Sequence, residues 1–138
     1  MLKSIFIFLF IIVPLQVHGY EFMENWKPRD TYLQTTFIAI TAIDWMQTRS
    51  AARNDWIIDN NRQYETNPFL GKYPSRSRVD TMIGLGILGH TLVAMILPSK
   101  FEILNMTIHP RTIWQSFFIA VEITAVSNNH YMGVRIEF

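Results

Sequence analysis

The sequence predicts an all-α integral membrane protein: a bundle of three transmembrane helices behind an N-terminal signal-like segment. Three observations carry this expectation. Of the 138 residues, 49% are hydrophobic and only 17% are charged, against ~25% charged in ordinary soluble domains. The apolar residues lie in blocks, with the charges gathered between them. The chain opens on a short basic and then apolar run, the pattern of a targeting segment. The formal net charge of +1 gives no reason to expect a nucleic-acid partner. The chain has no cysteine, which excludes disulfides, thiol catalysis and Cys-ligated zinc.

Residues 1–19 read as a signal peptide or an N-terminal anchor. Lys3 supplies the positive region and Ile5 to Val13 the apolar core, broken at Pro14. Val17 and Gly19 suit cleavage before Tyr20, and the run is short of the ~20 residues that span a bilayer. An uncleaved segment would make a fourth helix. Residues 20–138 form the helical domain. Tyr20, Trp26 and Pro28 mark an interfacial connector, and Asp30 or Thr31 suits the N-cap of a helix over Thr31 to Thr48. A polar loop follows, from Arg49 to Arg78. The second helix runs from Val79 to Leu97, with Ser77 and Asp80 spaced as a capping box, and Pro98 ends it. A connector, Ser99 to Ile108, leads to Pro110, which suits the first turn of a third helix over Arg111 to Ser127.

Charge sets the orientation. Six of the twelve basic residues (Arg49, Arg53, Arg62, Lys72, Arg76 and Arg78) fall in the central loop. Lys27 and Arg29, and Lys100 and Arg111, flank the other ends. Positive residues favour the cytoplasmic side. The expectation is a multi-pass inner-membrane protein with loop 49–78 and the C-terminus in the cytoplasm. Val134 to Phe138 alternate like a strand, but a membrane barrel needs many such segments.

Polar residues interrupt each apolar helix. Gln34, Thr41, Asp44 and Thr48 share a stripe on the first. His90 lies on the second, with Gly86 one turn earlier. Gln115, Glu122 and Asn129 recur at steps of seven on the third, followed by His130. Facing one interior, such stripes satisfy hydrogen bonds that lipid cannot. Asp44, His90 and Glu122 are the candidate catalytic or metal-ligating cluster, because two carboxylates and an imidazole could hold a cation or act as acid and base. The plainer reading makes them polar glue between helices. The metal and cofactor are left open. Gly84, Gly86 and Gly89 match G-x-G-x-x-G, but inside an apolar run they predict close helix approach instead.

The loop contains Glu65-Thr66-Asn67-Pro68-Phe69-Leu70-Gly71. Asn67-Pro68 and Gly71 are turn signals. Glu65 and Asn67 are candidate binding residues at the mouth of the cluster, together with Gln115, Asn129 and His130. The loop's basic residues would attract anionic lipid headgroups.

Asp44 with Gln47-Thr48, the Glu65-x-Asn67-Pro68 loop, His90, and the later Trp114-Gln115…Glu122…Asn129-His130 together resemble small bacterial and phage membrane proteins of unknown function. The resemblance covers most of the helical domain and implies a membrane protein without lending an activity. The leading expectation is a membrane scaffold or accessory subunit, with the bilayer and another membrane protein or a second copy as partners. The alternatives are a lipid-binding protein or enzyme acting on a lipid headgroup, and an ion-conducting or holin-like pore.

Overall fold

The computed structural model describes residues 22–58, 60–103 and 105–136. The expected signal segment, its cleavage site before Tyr20 and the terminal Phe138 lie outside the described residues. Three helices dominate: α1 (Pro28–Arg53), α2 (Arg76–Ile96) and α3 (Pro110–Tyr131). An antiparallel hairpin, β1 (Ile57–Ile58) with β2 (Asn61–Arg62), joins α1 to α2. A second, β3 (Phe101–Ile103) with β4 (Met106–Ile108), joins α2 to α3. Helix α1 packs along both other helices, which touch each other more sparsely.

The helix boundaries follow local chemistry. Helix α1 starts three residues earlier than the sequence suggested. Pro28 occupies its first turn, where a missing N–H costs nothing. Asp30 is therefore inside the helix and reaches back, its Oδ2 accepting from the Lys27 N–H at 2.9 Å. Helix α2 also starts early: Ser75, not Ser77, caps it, with Oγ accepting from the Arg78 N–H at 3.3 Å. Helix α3 runs past Ser127 to Tyr131. It closes on Gly133 at φ 81°, where the Val134 N–H reaches the Asn129 carbonyl and the Gly133 N–H the His130 carbonyl. That is the Schellman pattern, which favours glycine in the left-handed position. Val134 then packs on Ala51 and Trp56. Residues 134–136 form no strand. The expected connector 99–108 is a hairpin, with Asn105 at φ 66° in its turn.

Polar side chains are buried beside apolar ones such as Phe37, Val79 and Ala94, and many large apolar side chains are exposed. The inward side chains include Asp30, Gln34, Thr41, Thr48, His90, Arg111 and Gln115, while Leu85, Leu88, Leu92, Ile113, Phe117 and Val121 are exposed. The three expected helices are present, but the expectation that all three are transmembrane spans needs correction. Among the described residues, only α2 is long and apolar enough to cross a membrane by length and composition. The polar inner faces of α1 and α3 lower their average hydropathy. A second correction concerns the glycines of α2. Gly84, Gly86 and Gly89 are exposed, and a methyl group at any of them would meet open space. They do not seat a neighbouring helix, and Gly86 does not share the inward face of His90.

Candidate functional site

The bundle interior holds three polar levels. The first lies where α1 begins and α2 ends. Arg111 and Asp30, both 1% exposed, form an ion pair at 3.2 Å. The same guanidinium donates to the carbonyls of Ala94 at 2.9 Å, Leu97 at 2.7 Å and Glu24 at 2.9 Å. It lies 5.0 Å from the centre of the Trp26 ring. Gln115 Nε2 donates to the Asp30 carbonyl at 3.0 Å and to Gln34 Oε1 at 3.3 Å. Gln34 Nε2 passes the chain on to Thr91 Oγ1 at 2.8 Å. Every helix contributes to this network. It occupies the carbonyls that the end of α2 leaves without intrahelical partners.

The second level is an aromatic box around His90. Its ring stacks on Phe37 with centroids 3.7 Å apart, and Trp114 and Phe118 lie at 5.6 and 5.2 Å. Trp114 Nε1 donates to the His90 carbonyl at 3.2 Å. Neither ring nitrogen of His90 has a hydrogen-bond partner among the described residues.

The third level holds the carboxylates. Asn129 Nδ2 donates to Asp44 Oδ1 at 2.8 Å, and Asp44 interacts electrostatically with Glu122 and Glu65. One oxygen of Glu122 is buried without a hydrogen-bond partner among the described residues. Asp44, Glu65, Glu122 and Asn129 therefore gather as the sequence suggested. His90 does not join them. It packs on Phe37, seven residues and about 10 Å along α1 from Asp44. Among the described residues no three His, Asp or Glu side chains converge to hold a metal ion. The expected Asp/His/Glu cluster is thus two separate features.

The loop motif is mainly a built turn. Glu65 Oε1 accepts from the Asn67 N–H at 2.7 Å, and Asn67 Oδ1 accepts from the Phe69 N–H at 3.0 Å. The Asn67 side chain is spent on this Asx turn and is not aimed at Asp44. Arg78 Nε donates to the Leu70 carbonyl at 2.7 Å, holding the turn against α2. Leu70 is buried, while Phe69 is 72% exposed. His130 is exposed in the last turn of α3 and contributes its backbone to the helix end, not its ring to the site.

Sequence reasoning missed the Asp30–Arg111 pair. The signal was present: Asp30 lies four residues before Gln34, and Arg111 four before Gln115, so each extends a recognised stripe by one turn. It also gave Asp80 a capping box with Ser77, whereas Asp80 accepts from Trp45 Nε1 at 2.7 Å and pairs with Arg49 at 3.1 Å. Compared with known protein families, characterised proteins and solved structures, the chain matches none.

Proposed function

We propose that the chain is a small inner-membrane protein whose three helices cross the bilayer together, serving as a scaffold or accessory subunit for another membrane protein. The supporting observation is the pattern of burial: polar side chains knit much of the interior, while many large aliphatic and aromatic ones are exposed on the outside. At 1.5 Å per residue the helices reach roughly 32 to 39 Å, enough for a hydrocarbon core of about 30 Å. An ion pair such as Asp30–Arg111 persists in lipid when its remaining hydrogen-bonding capacity is met inside the protein. The accessory role rests on the network at the first level, which is committed to joining helices. The exposed glycines of α2 leave room for a partner helix to approach. This reading carries the orientation with loop 49–78 and the C-terminus in the cytoplasm, and it agrees with the resemblance to small bacterial and phage membrane proteins.

The absence of native cysteine permits a direct test. Asn60→Cys and Asn105→Cys, one in each hairpin, are labelled with a membrane-impermeant maleimide in intact and in opened cells. The proposal expects labelling at 105 in intact cells and at 60 only after opening. Extraction of the chain by alkaline carbonate would remove the membrane reading altogether.

A second reading is favoured by one observation. Asp44 has two other carboxyl groups, Glu65 and Glu122, within electrostatic reach, which helix glue does not require. That cluster would bind or act on a lipid headgroup. Glu122→Gln distinguishes the two: normal accumulation with a lost phenotype supports a site, while reduced accumulation supports glue.

A further inference from the structure

A cleft of about 810 Å³ opens beside the β1–β2 hairpin, between the end of α1 and the start of α2. It is separate from the three interior levels. Arg53, Arg62 and Arg76 line it, along with Tyr73, Trp56 and Asp55. None of the three arginines makes an ion pair among the described residues. Among the described residues, three cations from three elements face one lining carboxylate, Asp55. Arg62 lies over the Tyr73 ring at 4.4 Å, a stacking that positions the guanidinium while leaving its edge for a ligand. The start of α2 adds its positive end to the same field.

The walls are fixed. Asp55 and Trp56 sit at φ 51° and 62°, and Asn60 at φ 63°, left-handed conformations that side chains adopt at a cost. Trp56 is held there by burial, and its Nε1 donates to the Pro74 carbonyl at 3.2 Å. That bond ties the hairpin side of the cleft to the start of α2. Tyr73, Tyr64 and Phe69 are exposed at the same end of the bundle, where aromatic rings suit a membrane interface.

We infer that this cleft is a binding site for a phosphate-bearing anion, with Arg53, Arg62 and Arg76 as its ligands. Planar guanidinium groups match phosphate oxygens in pairs. The phosphate comes from an anionic lipid headgroup or from a soluble phosphate. The headgroup source rests on the bilayer reading; the anion site does not.

The test is native mass spectrometry of the full chain in detergent with phosphatidylglycerol or phosphatidylcholine, with and without competing inorganic phosphate. The comparison proteins are R53Q/R62Q/R76Q and a charge-matched control, K27Q/R29Q/K100Q, at the other end of the bundle. The inference expects one retained phosphatidylglycerol over phosphatidylcholine, weakened about fivefold per arginine removed and unchanged in the control. Displacement by inorganic phosphate assigns a soluble source, and retention against it assigns the headgroup; both support the site. Equal retention of the two lipids, or equal loss in the control, overturns it. Circular dichroism checks that helix content is kept. R76Q alone serves where the triple variant does not fold, and unchanged affinity in that folded variant also overturns the inference. Carbonate extraction with phosphate binding intact would remove the headgroup source alone.

Discussion

Arg111 and His90 are both buried and polar, and they call for opposite expectations. Arg111 satisfies its guanidinium through Asp30 and the carbonyls of Ala94, Leu97 and Glu24. Removing one member of such a pair strands the other, at about 3–5 kcal/mol. Arg111→Ala should therefore lower thermal stability strongly in detergent. Combining it with Asp30→Asn should cost less than the two single changes added, because they share one interaction. Strict additivity would mean that the pair is not coupled. His90 instead has two ring nitrogens without a hydrogen-bond partner among the described residues, inside an aromatic box. His90→Leu removes those polar atoms while keeping an apolar filling. Stability should hold or rise by about 1 kcal/mol, and a loss of several kcal/mol in the same melt would refute the box as described.

At the level of single elements, the helix starts separate what the sequence disclosed from what it hid. Ser75→Ala should cost about 1 kcal/mol as the loss of an N-cap, whereas Ser77→Ala should be silent. Thermal melts of the two variants check which serine caps α2. The polar stripes were legible because steps of three, four and seven repeat on a helix, and Gln34, Thr41, Thr48 and Gln115 are indeed buried. Asp30 and Arg111 were hidden because charges near helix ends have ordinary uses as caps and topology signals, and composition cannot tell those from burial. The glycines of α2 misled for a related reason. Periodicity identifies a face but not which neighbour, if any, covers it. The separation of His90 from Asp44 and Glu122 was also out of reach, since it depends on the relative heights of three helices.

For the whole molecule, the question is which solvent meets the apolar exterior. Leu88 is 56% exposed near the middle of α2. Facing lipid, Leu88→Arg should impair insertion by about 2.5–3.5 kcal/mol. Facing water, it should be nearly neutral. The fraction of chain that resists carbonate extraction measures the difference. The same membrane fraction would report Glu122→Gln, which separates glue from site at the carboxylate level.

The clamp between Asp30 and Arg111 also bears on how the molecule is made. Its members are 81 positions apart along the chain, so a ribosome delivers the carboxylate long before the guanidinium exists. On the bilayer reading, an early α1 carries Asp30 and Asp44 together with Gln34, and the Asp30–Arg111 pair cannot form until α3 enters. Among the described residues, α2 alone is long and apolar enough to cross a membrane by length and composition. Biogenesis then favours late, concerted entry, with α1 and α3 waiting near the membrane surface until each can neutralise the other. A ribosome-arrest series would show it as α1 remaining accessible to labelling until Arg111 has left the exit tunnel.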